Sequence, residues 1–218
     1  MSEFIKEKKH IREFFPDPFK MSKNEDVIAY SNHIDTKFLI EAYSFGIFPW
    51  PSSELEPILW FCPRQRGVLF FSDLQVSKSL TKFMKKSKFK LTLNKNFEEV
   101  IINCGKAKRP NQSGTWITSN ILTSYLELHK MGYAHSVECW ENNDLVGGIY
   151  GVGIGQSFSG ESMFYKKPNA SKICLIYLIE LLVENGFSYL DVQMVTPLLK
   201  SFGAKEIPRK DFLSLVNI

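Results

Sequence analysis

The stretch Ser171–Gln193, SKICLIYLIELLVENGFSYLDVQ, decides the fold. From Ser171 to Glu184 it is apolar nearly all round the helical wheel, the pattern of a helix buried on every side. Ser171 is the expected cap and Gly186 the expected stop. The chain then enters Phe187–Gln193, where Leu190 and Val192 alternate with Asp191 and Gln193. Strand side chains point to opposite faces with period two. The alternation predicts Asp191 and Gln193 on one face and Leu190 and Val192 on the other. A carboxylate beside an amide, after so apolar a helix, reads either as a solvated edge face or as a polar pair set in a cleft.

Working upstream, three strand-like runs precede this unit: HSVECW (His135–Trp140), LVGGIYGVG (Leu145–Gly153) and SFSGESMFY (Ser157–Tyr165). The link ENND between the first two is a hairpin signal. Before them, Ser119–Gly132 carries Ile121, Leu122, Tyr125 and Leu128 at helical spacing, with Ser119 as cap candidate. The C-terminal half therefore reads α-β-β-β-α-β, an α/β (α+β) layer around one core. Further upstream, Gly67–Ser72 is a strand, Ser77–Leu93 begins as a helix and ends as a strand, and Asn96–Gly105 is a short helix. Thr36–Gly46 is a short amphipathic helix, and the proline-rich run that follows cannot form a long regular element. These breaks predict a small N-terminal domain over 1–66 and a second domain over 67–218. Residues 1–26 read as a loosely ordered arm.

Among the 218 residues, 44% are hydrophobic and 23% charged, an ordinary globular balance, and the net charge is +4. No long apolar run predicts a membrane span. The opening residues do not read as a secretory signal. Cys62, Cys104, Cys139 and Cys174 are scattered, without metal-ligand spacing, which points to free thiols in a reducing cytoplasm and to no metal. The glycines of Gly147–Gly155 alternate with apolar residues and do not make a dinucleotide or phosphate loop. No nucleophile elbow occurs, and His129 and His135 read as structural. Without a nucleophile, the chemistry left is direct transfer between two bound substrates.

Three further features remain. Glu161 lies inside the strand GESMF, with Ser159 and Met163 as its face-mates; it is either an exposed cross-strand charge or part of one site with Asp191 and Gln193. The segment Leu74–Phe97 has no acid but carries Lys78, Lys82, Lys85, Lys86, Lys88, Lys90 and Lys95, followed by Lys106, Lys108 and Arg109. Such a band either tracks phosphates or is a solvated face. Trp50 in FPWP and Trp116 in SGTWIT are either plugs or platforms for an unpaired base.

Taken together, AYSFGIFPW (42–50), LWFCPRQRGVLF (59–70), GTWIT (114–118), LHKMGYAHSVECW (128–140), LVGGIYGV (145–152), GESMF (160–164), NASK (169–172), DVQ (191–193), SFGA (201–204) and EIPR (206–209) resemble the bacterial leucyl/phenylalanyl-tRNA–protein transferases. The resemblance implies an acetyltransferase-like C-terminal domain with a central mixed sheet flanked by helices. It implies transfer of Leu or Phe, possibly Met, from the 3′ end of aminoacyl-tRNA to proteins with N-terminal Arg or Lys, marking them for N-degron degradation. It implies no cofactor, and YKKPNASK lacks the glycines of an acetyl-CoA loop. A cytoplasmic location is expected from the scattered thiols, and the sequence does not give the oligomeric state, for which a monomer is the expectation. By position, Trp50 and Trp116 match the residues that hold the terminal adenosine. Ile149, Met163, Leu175, Leu178, Leu182 and Leu190 match the aminoacyl pocket, where Leu178 and Leu182 replace positions that can be Phe. Asp191, Gln193 and Glu161 match the reacting centre, with Val192 expected to face away; Lys78, Lys82, Lys85 and Lys86 are candidates for tRNA phosphates. Two other readings compete: a small-molecule N-acyltransferase on the same fold, and a non-catalytic binder of the tRNA end.

Overall fold

The computed structural model describes residues 4–51, 53, 56–107 and 115–216. In chain order the elements are β1 (Val27–Ser31), α1 (Thr36–Ser44), β2 (Phe48–Trp50), β3 (Ile58–Phe61), β4 (Gln65–Phe70), α2 (Lys78–Lys86), β5 (Lys90–Leu93), α3 (Phe97–Lys106) and α4 (Ser119–Lys130). Then follow β6 (Ala134–Glu141), β7 (Asp144–Ile154), β8 (Ser157–Tyr165), α5 (Ala170–Glu184), β9 (Tyr189–Gln193), α6 (Pro197–Ser201), β10 (Lys205–Pro208) and α7 (Arg209–Val216). A three-stranded sheet has the order β1-β3-β2, and a seven-stranded sheet the order β10-β4-β9-β8-β7-β6-β5.

The large sheet is mixed. Its neighbours are antiparallel except β8 and β9, which are parallel. Parallel neighbours need a crossover, and α5 supplies it. Antiparallel neighbours need only a turn: Asn142 (φ 54°) and Asn143 (φ 90°) are both left-handed, the two-residue hairpin that matches strand twist. Helices cover both faces. α5 packs on β6 and β7, while α3 and α4 pack from the other side. Hence β7 is buried along nearly its whole length, and the α/β architecture expected from the sequence is present. No helix among the described residues is long and apolar enough to cross a membrane.

Three local expectations change. The cap of α4 is Thr118, whose hydroxyl accepts from Ile121 N, and not Ser119. The residue before α5 is Asn169, in a left-handed conformation (φ 67°) without a side-chain cap bond; Ser171 is already inside the helix. A tight return from β8 demands that conformation, which Asn tolerates. The N-terminal arm is not loose over residues 4–26. Glu41 Oε1 accepts the backbone N–H groups of Glu13, Phe14 and Phe15 at 2.8–3.0 Å, Phe15 packs edge-on to Trp60, and Phe4 is buried between His135 and Phe158. A buried carboxylate with three aligned donors outweighs the polarity of the segment.

Candidate active site

A cavity of about 620 Å³ opens where the two sheets approach each other. Its apolar wall comes from Ile149, Met163, Leu175 and Leu190, extended by Val192 and Leu199; Trp50 and Trp116 line the same cavity. The two indole rings are 6.5 Å apart at 32°. The polar lining is Glu161, Ser162, Gln193 and Thr196.

Two β-bulges explain how polar groups reach an apolar wall. Between β7 and β8, Tyr150 pairs with Ser162 and Gly151 with Gly160, so Glu161 is the extra residue of β8. Between β4 and β9, Gly67 pairs with Gln193 and Val68 with Asp191, so Val192 is the extra residue of β9. A bulge kinks its strand and re-aims the side chains beside it. Gly160, Glu161, Ser162 and Met163 therefore line the cavity in succession, as do Val192, Gln193 and Met194. The expectation that Asp191 and Gln193 share a face is corrected: Gln193 has φ 61°, which swings its amide to the side occupied by Leu190. Val192, expected to face away, lines the cavity for the same reason.

Asp191 lies on the far side, fully buried and outside the cavity lining. Arg66 donates to both of its oxygens, at 2.7 and 2.6 Å. The Ser159 hydroxyl donates to Oδ2 at 2.8 Å and the Gln193 backbone N–H to Oδ1 at 3.0 Å. The Arg66 guanidinium is itself held between the rings of Phe48 and Phe212, 4.4 and 4.5 Å away. Burial works against the charge on Arg66, but the Asp191 carboxylate outweighs it and raises its pKa further. Planar two-point pairing of this kind fixes geometry as well as charge. Asp191 thus pins the strand end that carries Gln193.

Glu161 is the carboxyl that meets the cavity. Its Oε1 accepts from Gln193 Nε2 at 2.8 Å and its Oε2 from the Tyr125 hydroxyl at 3.3 Å. The Tyr125 hydroxyl is in turn hydrogen-bonded to that of Tyr43. Burial pushes the Glu161 pKa up to about 8; hydrogen bonding from Tyr43 opposes this and the Asp191 charge reinforces it. Burial, with the Glu161 charge behind it, raises the pKa of Tyr125 well above its usual value, so this phenol stays a donor. Because the Gln193 amide nitrogen is committed to Glu161, its carbonyl oxygen is the atom left to accept from a ligand.

Of the expected site residues, the structure brings together Trp50, Trp116, Ile149, Met163, Leu175, Leu190, Glu161 and Gln193. Leu178 and Leu182 are buried in the core beneath and do not line the cavity. Tyr43, Tyr125, Arg66, Val192 and Leu199 were not foreseen; the sequence spacing holds no signal for a contact between residues so far apart. Lys78, Lys82, Lys85 and Lys86 are exposed on α2, and among the described residues none has an ion-pair partner. Lys108, Arg109 and Gly114 lie outside the described residues.

Comparison with known proteins gives a consistent answer. The family model described as leucyl/phenylalanyl-tRNA protein transferase matches residues 68–217, and that family's N-terminal-domain model matches residues 32–64. A leucyl/phenylalanyl-tRNA–protein transferase of Flavobacterium johnsoniae is 47% identical over 204 residues, covering 94% of this chain and 95% of the relative. One from Pseudoalteromonas atlantica is 45% identical over 201 residues, covering 92% and 85%. Solved structures are more distant. L-PGS from Bacillus licheniformis has a TM-score of 0.44 at 12% identity, covering 74% of this chain and 52% of that one. A GCN5-related N-acetyltransferase-like protein of Streptococcus suis has 0.39 at 14%, covering 79% and 64%.

Proposed function

Because the chain belongs to the leucyl/phenylalanyl-tRNA–protein transferase family, we propose that it transfers Leu or Phe, with Met as a further donor, to proteins that begin with Arg or Lys and so marks them for N-degron degradation. The chain is an aminoacyltransferase that moves an aminoacyl group from tRNA to protein. The finer reading also takes residues 1–66 as a unit presenting Trp50, residues 67–218 as the transferase unit, and the cytoplasm as the place of action of a monomer.

One observation carries the site assignment: a single cavity combines the Trp50–Trp116 pair, an apolar wall, and the Glu161–Gln193 pair. The tryptophans suit the terminal adenosine, since a base stacks on an indole without sequence demand. The apolar wall suits a leucyl or phenylalanyl side chain. The ester carbonyl then lies toward Gln193. The α-amine attacks the ester carbon, a C–N bond forms, the C–O bond to the ribose breaks, and the ribose oxygen ends as a hydroxyl. Gln193 Oε1 accepts from the amine and orients it. Ionised Glu161 takes the proton that the amine sheds and returns it to the leaving ribose oxygen, and a titration near 8 matches an α-amine, whose own value is about 7.7–8.0. Asp191 acts through position: it fixes the Gln193 backbone and makes no contact with substrate. The lysines of α2 track the phosphates of the tRNA beyond its 3′ end.

The test is transfer from labelled leucyl-, phenylalanyl- and methionyl-tRNA to matched peptides beginning with Arg, Lys, Asp or Ala. Transfer confined to Arg and Lys peptides is expected. Binding of aminoacyl-tRNA without transfer to any peptide would overturn the reading, and transfer to the Asp peptide would overturn the acceptor assignment.

A further inference from the structure

The strand end at Gln193 is held in a turn that the sequence does not favour. Gln193 has φ 61°, and Met194 N donates to Val192 O at 2.6 Å across it. A three-residue turn with positive φ at its centre is rare and strained for a residue with a side chain. The turn folds the following chain down onto β4. A Cβ built on Gly67 would stand 2.9 Å from the carbonyl carbon of Met194, 3.0 Å from Val195 N and 3.1 Å from Met194 Cα. All three are backbone atoms, so no rotamer change relieves them. Gly67 is not among the residues with positive φ, so alanine fits its backbone conformation; only the approach of the turn forbids it. Gly67 is also the direct partner of Gln193 across the bulge. A close approach also occurs at the other bulge, where a Cβ on Gly151, the partner of Gly160 beside Glu161, would meet the carbonyl oxygen of Ser159.

We propose that Gly67 is a positioning residue for aminoacyl transfer: by carrying no side chain it admits the turn at Gln193, and that turn aims the amide at Glu161 and the cavity. The proposal rests on the reading of Gln193 given above. Gly67 touches no substrate; its effect passes entirely through Gln193. This separates it from glycines that merely permit close packing, because its influence vanishes once the Gln193 side chain is gone.

The experiment is a double-mutant cycle in the full chain, with Gly67→Ala, Gln193→Ala and the pair. Gly67→Ala should lower kcat about tenfold to a hundredfold, the scale of a small misplacement at a reacting centre, with the affinity for aminoacyl-tRNA unchanged. In the Gln193→Ala background the same change should cost nothing further. A wild-type kcat for Gly67→Ala, or an undiminished loss in that background, would overturn the proposal. If Gln193→Ala itself transfers normally, the reading of Gln193 fails instead. The crystal structure of Gly67→Ala then decides positioning by itself: loss of the Gln193–Glu161 bond sustains it, and an unmoved amide overturns it. Should Gly67→Ala fail to fold, deleting Val192, the extra residue of β9, should restore folding without transfer; failure to restore folding would show that the turn is not the obstacle.

Discussion

Asp191 on β9 and Glu161 on β8 are carboxyls of neighbouring strands, and both bond to Gln193, but to different parts of it. Asp191 binds the backbone N–H and Glu161 the side-chain amide. Asp191 is shut away and every donor around it is aimed at its charge: a guanidinium, a hydroxyl and a backbone amide. Glu161 faces the cavity with neutral donors, and burial lifts its titration to about 8. A carboxylate with its lone pairs taken up by fixed donors serves geometry. A carboxyl poised near the pH of the medium is the one that exchanges protons. Position in the motif does not separate these roles; the partners do.

The largest effect is expected where the closed pair is broken. Asp191→Asn leaves Arg66 buried between two rings without its counter-charge, and removing one partner of a buried pair costs about 3–5 kcal/mol. Urea denaturation should show that loss, and transfer should fall with the folded fraction. The comparison breaks if Asp191→Asn keeps wild-type stability and tRNA affinity yet cannot transfer, for then Asp191 acts on the substrate.

Glu161→Gln should do the reverse. The fold persists, because Gln can still accept from Gln193 through its carbonyl oxygen and donate its NH2 to the Tyr125 oxygen, while kcat drops by about a hundredfold, the lower range for removal of a general base. Its pH signature follows from the raised pKa. Between the ordinary glutamate value near 4.3 and the folded value of about 8, the native state holds a proton that the unfolded chain has released. Wild-type stability should therefore fall as pH rises through that window, and Glu161→Gln should lack this slope. Denaturation midpoints that track each other from about pH 5 to 8 would show that Glu161 titrates normally. In activity, the wild-type rate should climb through pH 8 on two ionisations, Glu161 and the acceptor amine, and the variant on one.

Trp116→Ala sharpens the contrast between binding and chemistry. Loss of one stacking surface should weaken aminoacyl-tRNA binding by about 1–3 kcal/mol, read by filter binding, with kcat at saturating tRNA preserved. A loss of kcat with affinity intact would make the Trp50–Trp116 pair part of the reacting centre.

The two regions also differed in how far the sequence exposed them. The crossover helix, the Asn142–Asn143 hairpin and the α-β-β-β-α-β order follow from periodicity and turn chemistry, which are local. Ile149, Met163, Leu175 and Leu190 were named through family resemblance and do line one wall. The placement of Asp191 and Gln193 on one face failed because period two assumes an unbroken ladder, and a single extra residue in β9 reverses the parity. No local pattern announces a bulge. Leu178 and Leu182 share a helix with Leu175, yet only Leu175 reaches the cavity. The Tyr43–Tyr125–Glu161 chain joins α1, α4 and β8, whose meeting is a property of packing alone. The arm at residues 4–26 escaped for the same reason, since its anchor, Glu41, lies in another element.

The smallest expected effect lies on α2, away from both carboxyls. Lys82 and Lys85 are exposed, and Leu80 is the one buried residue of the helix. Neither lysine has an ion-pair partner among the described residues, so Lys82→Gln with Lys85→Gln should leave stability unchanged. If they meet tRNA phosphates, each substitution should lower the salt dependence of binding, as the slope of log K against log salt, by about one. The loss should be equal for leucyl- and phenylalanyl-tRNA, because a phosphate contact carries no information about the esterified residue. An unchanged salt slope would mark α2 as a solvated face and leave recognition of the donor to the cavity and its two tryptophans. A loss that differed between the two donors would tie α2 to the aminoacyl pocket, whose wall shares a core cluster with Leu80, Phe83 and Met84 of that helix.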